Sequence, residues 1–427
     1  MRSVWVFMQN DQEWFKAVFL SVVIFLFAYW MISGIPNLGF SAQSGKGPIG
    51  YVAVSPVTAP SVPRNIPPAI MKLSQNPVIS YMGGSPVKGV RCLDPYCTRI
   101  SDSFVVDDGA FPQVVLTQNG RKPVFTYTAL PSGTEGTKVA SCSDSTCNDF
   151  QYTNLSPPDT GHMKAIVASP WKNPIVAFTT YGSSPITVVY CGDMDCVNGN
   201  IQTNVGPGTL YQNSIDIGAD GLPVMAVIEN GALEVIKCDT YDCTQHHRTT
   251  LISSGIGEAA LTAQKGNPVI VYGKEYPSLK MGTIACKTSD CQTFIETNHC
   301  PNNNCVFTGS GFSIIVPDDN IPLISYQQLF FGFDPGLYAM KCLDASCSSA
   351  TAVSIDTNGM GFPSVQTILR SSPKNPMILY YAEDTPGIPK IKSALCLDDS
   401  CSAISIHTLV TGEMSRYSQL SIDTLYD

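Results

Sequence analysis

Two kinds of apolar pattern stand out along this chain. One occurs once: residues 17–32 (AVFLSVVIFLFAYWMI) are apolar except for Ser21. Phe15 and the Ser33–Gly34 pair extend the run to about the length that crosses a thin hydrocarbon core. Trp14, Phe15, Tyr29 and Trp30 sit at its two ends, where interfacial aromatics belong. The other pattern is short and repeated. Runs open with a proline and continue in β-branched, aliphatic and aromatic residues: PVISY from Pro77, PVFTY from Pro123, PIVAF from Pro174, PVMAV from Pro223, PVIVY from Pro268, PLISY from Pro322 and PMILY from Pro376. Such residues favour strands, and proline is tolerated at a strand's first position. Each run is followed by a second that ends in a cysteine (KGVRC, KVASC, TVVYC, EVIKC, GTIAC, YAMKC, KSALC), then by turn formers and a polar-alternating run. A further strand precedes each proline, as in FPQVVLT from Phe111, NSIDIG from Asn213 and FPSVQTIL from Phe362. The pattern predicts an all-β fold, a seven-bladed β-propeller of four-stranded antiparallel blades.

The cysteines keep the same beat. All 16 fall into C-x4-C pairs: Cys92/Cys97, Cys142/Cys147, Cys191/Cys196, Cys238/Cys243, Cys286/Cys291, Cys300/Cys305, Cys342/Cys347 and Cys396/Cys401. Without the pair at 300 and 305, the first cysteines step by 50, 49, 47, 48, 56 and 54 residues, a period in the range of propeller blades. A four-residue hairpin loop would set its two flanking cysteines directly across an antiparallel pair, ~4.5–5.5 Å apart, which a disulfide accepts. Zinc would need two such pairs together, whereas these lie a whole repeat apart. The cysteines therefore read as eight disulfides, and the domain as one that matures in an oxidising compartment. Cys300 and Cys305 bracket PNNN in an insertion between the fifth and sixth repeats, an extra stapled hairpin that is a candidate contact site or a tolerated loop.

Composition agrees with many short strands: 34 Gly and 31 Pro among 427 residues, 44% hydrophobic and 14% charged. Net charge is −9, and in the first forty residues Arg2 and Lys16 balance Asp11 and Glu13, so the acidity belongs to the remainder. Phosphate-backbone binding needs clustered cations, so nucleic acid is not an expected partner. Arg2 and Lys16 precede the apolar run and no Lys or Arg follows until Lys46, which predicts a cytosolic amino terminus and an extracellular or luminal bulk. The expected organisation is a cytosolic segment at 1–13, a transmembrane signal anchor at 14–34, a Pro/Gly/Ser-rich stalk at 35–68 and the propeller at 69–427. A cleaved signal peptide is the alternative for the apolar run. Two segments compete to close the ring beside Pro77: the tail YSQLSID from Tyr417, which is preferred, and AIMKL from Ala69.

The combination P-[VIL]-x-[SAV]-[YF], a strand and C-x-[DT]-x-x-C resembles the sialidase-like family of β-propeller repeats over residues 66–427, in a variant with stapled hairpins. The resemblance implies the architecture and leaves function open, because lectins, hydrolases and scaffolds share it. The family's Asp-box, S-x-D-x-G-x-x-W, is absent; Trp171 is the only tryptophan of the propeller and follows no such box. No catalytic residue is carried over. A sialidase-type site needs three convergent arginines, and the region offers Arg91, Arg99, Arg121, Arg248, Arg370 and Arg416, with Arg64 in the stalk. Arg91 and Arg99 flank a cysteine hairpin, away from the axis. His246 and His247 are adjacent on an expected outer strand, where neighbours point to opposite faces, so they read as a solvated pair. Asp193, Asp195, Asp398 and Asp399 could ligate calcium, but their expected role is to cap the hairpin turns, so no cofactor is expected. Tyr81, Tyr127, Tyr272, Tyr326 and Tyr380 recur four residues after the proline and read as core between blades. Asn154 (NLS) is the one glycosylation sequon of the propeller. The expected function is non-enzymatic: an interaction or structural module of a surface or membrane-bound particle, a virion included, that contacts neighbouring proteins. A glycan-binding lectin and an exo-glycosidase are the alternatives.

Overall fold

The computed structural model describes residues 50–55, 76–82, 86–94, 96–117, 122–130, 136–144, 146–156, 163–171, 173–179, 185–263, 266–274, 280–299, 311–317, 319–328, 336–357, 367–370, 376–385, 388–412 and 418–422. The chain divides into two compact units, 1–47 and 48–427, and all described residues belong to the second. The expected cytosolic segment and membrane anchor lie outside the described residues. So does the extra stapled hairpin: both Cys300 and Cys305 fall in the stretch between His299 and Gly311 that is not described. Among those that are described, every element is a strand, and no helix is long and apolar enough to cross a membrane.

The strands form six sheets. The first holds β1 (Gly50–Ser55), β2 (Val78–Met82), β3 (Pro86–Arg91), β4 (Phe104–Thr117), β5 (Lys122–Ala129), β6 (Thr137–Cys142) and β7 (Phe150–Asn154). The second holds β8 (Met163–Ala168), β9 (Pro174–Thr179), β10 (Pro185–Tyr190) and β11 (Ile201–Pro207). The third is β12 (Thr209–Ile217), β13 (Pro223–Glu229), β14 (Ala232–Cys238) and β15 (His246–Ile252). The fourth is β16 (Ile256–Thr262), β17 (Val269–Lys274), β18 (Met281–Cys286) and β19 (Phe294–Asn298). The fifth is β20 (Ser313–Ile315), β21 (Leu323–Gln328), β22 (Gly336–Cys342) and β23 (Ala350–Asp356). The sixth is β24 (Thr367–Arg370), β25 (Pro376–Thr385), β26 (Ile388–Cys396) and β27 (Ile404–Thr411). β28 (Ser418–Ile422) returns to the first sheet as its eighth strand. The inner strands follow one another around an axis, β1, β4, β8, β12, β16, β20 and β24, and β24 meets β1 and β28 to close the circle. The chain is a β-propeller.

It has six blades where the repeats predict seven, because the first two repeats share one sheet. β4 is continuous: Phe104 to Asp108 pair with β3, and Gly109 to Thr117 pair with β5. At the comparable junction between β11 and β12 the chain is broken by Gly206 and Gly208, at φ 101° and 144°, around Pro207. No residue from 104 to 110 takes a positive φ, so nothing separates the two halves of β4. Ring closure also departs from expectation. The strand beside β2 is Gly50–Ser55, part of the stretch expected to be stalk, with Ser55 opposite Val78. The tail lies on the far side of β1 and runs parallel to it, Gly50 opposite Ser418.

The core lies between successive blades. The second strand of each repeat is sandwiched by neighbouring sheets, so β2, β9 and β17 are buried on both faces and read as unbroken apolar runs. The outer strands β7, β15 and β19 are half-buried or exposed along their whole length. Proline and cysteine share a period because they touch: the amide of the first cysteine donates to the proline carbonyl, as in Cys92 to Pro77 at 2.8 Å, Cys191 to Pro174 at 3.0 Å and Cys286 to Pro268 at 2.9 Å.

Candidate interaction face

Seven of the eight expected C-x4-C disulfides are formed among the described residues, each closed within its own hairpin, with Cα atoms 4.5–4.8 Å apart. The eighth, expected between Cys300 and Cys305, is not among them, since neither Cys300 nor Cys305 is a described residue. The hairpin is larger than expected. The first cysteine does not face the second across the ladder; it pairs with a residue beyond it, Cys142 with Phe150, Cys238 with His246 and Cys342 with Ala350. The bridge instead staples a turn inside the loop. The second cysteine is left-handed in all seven, φ 50–58°, a region that costs a non-glycine residue about 1–2 kcal/mol. Two constraints hold it there: the disulfide, and a turn hydrogen bond from its amide, such as Cys243 to the Thr240 carbonyl at 3.1 Å or Cys347 to the Asp344 carbonyl at 3.0 Å.

A carboxylate completes each turn. Asp344 Oδ1 accepts the amide of Ser346 at 2.8 Å and that of Ser348 at 3.2 Å. Asp398 accepts from Ser400, Ser402 and Ala403 in the same way. In two hairpins a threonine takes the aspartate's place and the carboxylate moves two residues on: the Thr240 hydroxyl donates to Asp242 at 2.6 Å. Hydroxyl and amide donors stabilise the ionised form, so the Ser346 and Ser348 hydroxyls hold Asp344 down at about 2, and Thr240 holds Asp242 below the usual carboxylate range. Asp193 takes the amides of Asp195, Val197 and Asn198. Of the four carboxylates expected to cap, Asp193 and Asp398 do so, whereas Asp195 binds Lys122 and the Ser141 hydroxyl and Asp399 is exposed. No cluster of three metal-ligating residues occurs among the described residues.

Such turns leave the residue after the first cysteine pointing into solvent. It is Ser143, Gly192, Asp239 or Lys287 in four hairpins, and leucine in the other three. Leu93, Leu343 and Leu397 are 51%, 58% and 52% exposed. Their hairpins are neighbours: the Ser393 hydroxyl of β26 reaches the Cys97 carbonyl at 3.2 Å, and Leu337, Ala339 and Ile355 of the fifth sheet pack in one cluster with the sixth. An arc of three leucines therefore runs over consecutive hairpins on one face. A lone exposed leucine needs no explanation, whereas three at one structural position on consecutive hairpins are a shared feature of that face. The repeat showed these residues as turn sequence (LDPY, LDAS, LDDS), and the solvated position could be read only once the turn was known.

The other sequence candidates are dispersed. Arg91 sits at the end of β3 beside the next hairpin, its Nη2 3.1 Å from Cys147 Sγ, and burial lowers its pKa. Arg99 is exposed on the Cys92 hairpin, and Arg248 on β15 binds Glu229 at 2.9 Å. Arg370 ends β24, so the four arginines stand on three separate sheets. Arg64, Arg121 and Arg416 lie outside the described residues. His246 Nδ1 lies 3.1 Å from the Cys243 carbonyl, while His247 is 64% exposed and pairs with Asp239 at 3.0 Å. Asn154 is exposed at the end of β7, and the hydroxyl of Ser156 in its sequon accepts the Thr137 amide at 2.7 Å.

The tyrosines are core residues with a second duty. Tyr81, Tyr127, Tyr272 and Tyr380 are buried, and Tyr326 stacks on Tyr338 at 5.7 Å. Tyr127 donates to Asp107, on the strand before its own repeat, at 2.5 Å, and Lys138 opposite it binds the same carboxylate at 2.5 Å. The sixth sheet repeats the clamp: Tyr380 and Lys392 each bind Asp356 at 2.9 Å. Sequence reasoning missed Glu258, on the inner strand β16. Its Oε1 accepts the amide of Gly311 at 2.6 Å and that of Phe312 at 3.3 Å, while its Oε2 is sealed from solvent without a partner although the residue as a whole is only partly buried. Burial raises this carboxyl to about 8 despite those amides. Also missed was a cleft of about 210 Å³ between the fourth and fifth sheets, bordered by Val269, Val316 and Ala345.

No family model matches the chain, and no curated protein matches it. Among solved structures it is similar to a protein of unknown function from Dyadobacter fermentans, with 13% identity over 82% of this chain and 94% of that one, at a TM-score of 0.49. It is also similar to a putative 6-phosphogluconolactonase from Bacteroides uniformis, with 9% identity over 85% and 98% of the two chains, TM-score 0.48. A Trypanosoma rangeli sialidase matches with 11% identity over 66% of this chain and 54% of its own, TM-score 0.40. The activities of these proteins are theirs alone at such identities.

Proposed function

We propose that this chain is a non-enzymatic interaction module that docks a neighbouring protein on its hairpin face. The exposed arc of Leu93, Leu343 and Leu397 carries the reading, because rigid stapled turns presenting leucine to water lower their free energy when a partner covers them. The dispersal of Arg91, Arg99 and Arg248 supports a binding role over a sialidase-like one. The seven disulfides favour an oxidising compartment. We place the module behind a membrane anchor at 14–34, facing outward on a surface or membrane-bound particle, with a virion as one such setting.

The test places a photoreactive residue at position 343 of the full chain in its native assembly, alone and with Leu93→Ser and Leu397→Ser. A crosslink to one discrete protein is expected, reduced at least tenfold in the double variant while the thermal melt is unchanged. An undiminished crosslink, or a discrete glycan bound by the full chain on an array, overturns the reading.

A further inference from the structure

The geometry points to a partner segment that is both apolar and positively charged, with one apolar side chain seated in the cleft beside Ala345. The inference rests on the docking reading above and names the chemistry of its partner.

The hairpin face carries a carboxylate in every turn. Away from the leucines two carboxylates meet cations of the same chain, Asp195 paired with Lys122 and Asp144 in the field of Arg91, while Asp193 and Asp242 are held by amides and hydroxyls. Asp94 accepts from Tyr96, Thr98 and Arg99 backbone amides and the Thr98 hydroxyl; Asp344 and Asp398 are filled by serine hydroxyls and amides. Asp399 is exposed. Among the described residues, no side-chain cation pairs with any of the four. Residues 92–100, 342–350 and 396–404 hold these four carboxylates against Arg99, a net −3 beside the leucines.

A purely apolar partner would strip water from these carboxylates and offer them no countercharge. Cations at the edge of an apolar contact supply that countercharge and steer the encounter. The same charge disfavours anionic lipid, nucleic acid and a second copy of a chain whose net charge is −9.

The cleft supplies an anchor point at one end of the arc. At the junction of the second and third sheets, Tyr241 of the Cys238 hairpin packs edge-on against Trp171, ring centroids 4.0 Å apart. Ala345 holds the position of Tyr241 in the Cys342 hairpin. With a methyl group there, about 210 Å³ is left between the sheets, walled by Val269, Val316 and Ala285 and edged by Asn267 and Asn320. That is below the ~300–1,000 Å³ of small-molecule sites and suits one large side chain. Interface hot spots are commonly anchors in such pockets.

The experiment uses the full chain and two labelled twelve-residue peptides, one alternating leucine and lysine and one alternating leucine and glutamate, followed by fluorescence anisotropy. The lysine peptide is expected to bind at least tenfold more tightly than the glutamate peptide. Ala345→Tyr, which fills the cleft, should weaken it at least tenfold, and Asp399→Asn about threefold, with thermal melts unchanged. Equal or tighter binding of the glutamate peptide, no binding of either, or indifference to both substitutions overturns the partner chemistry and leaves the docking face standing. Peptide binding that survives Leu93→Ser, Leu343→Ser and Leu397→Ser together overturns the docking face itself. Leucine-dependent dimerisation or binding to zwitterionic phosphatidylcholine vesicles overturns the inference in favour of a second copy or a lipid surface.

Discussion

Asp344 and Glu258 are carboxyls driven in opposite directions by their surroundings. Donors from Ser346 and Ser348 hold the first down, to about 2, and enclosure pushes the second up, to about 8. A depressed folded-state pKa contributes stability above the unfolded value, 3.8, that is lost as pH falls through the folded one. With Asp94, Asp193, Asp242, Asp290 and Asp398 shifted the same way, the contribution of the caps to thermal stability should hold from pH 7 to about 4 and fall steeply between about 4 and 2. A flat profile down to pH 2 would contradict the capping role. Glu258 works the other way: between 4.5 and about 8 the folded chain keeps a proton that the unfolded chain has lost, so stability declines as pH rises through that window. Glu258→Gln should flatten that decline, seen by comparing melts at pH 5 and 8. The caps were legible in the sequence because they depend on near neighbours. Glu258 was not, because its partners, Gly311 and Phe312, come from the next blade.

At the scale of elements, the cysteine hairpin is the unit that the sequence specifies best and the one it misdescribed in detail. Pairing and separation followed from the four-residue spacing, but that spacing does not reveal a left-handed second cysteine or a ladder that resumes at Ala350 rather than Cys347. Opening one staple with Cys238→Ser and Cys243→Ser should cost about 2 kcal/mol in denaturant unfolding, the small-loop end of the disulfide range. The blade clamps lie on the same scale. Lys392 and Asp356 are 9% and 5% exposed, and removing Lys392 leaves a buried carboxylate without its cation, held by the Tyr380 hydroxyl. Lys392→Ala should therefore destabilise by about 3–5 kcal/mol, whereas the half-buried Lys390, which pairs with Asp384 at 3.0 Å, should cost well under 1 kcal/mol when replaced. Urea unfolding of both variants separates the two cases. The clamps were invisible in a single repeat, because each Asp belongs to the preceding one.

For the whole molecule, periodicity gave the propeller and its four-strand rhythm, yet counted seven blades where β4 merges two. Periodicity also could not assign Gly50–Ser55, which lacks the proline and cysteine marks and sits in proline-rich sequence, although it fills the slot beside β2. The face that bears the leucine arc arises from repetition with variation: one turn geometry fixes where the residue after the first cysteine points, and sequence then decides blade by blade whether it is polar. All of this depends on each staple closing on its own turn. Peptide mapping of the unreduced protein by mass spectrometry tests that point directly. The expected result includes seven separate links, Cys92–Cys97, Cys142–Cys147, Cys191–Cys196, Cys238–Cys243, Cys286–Cys291, Cys342–Cys347 and Cys396–Cys401; free thiols at these positions, or links between repeats, would contradict the account.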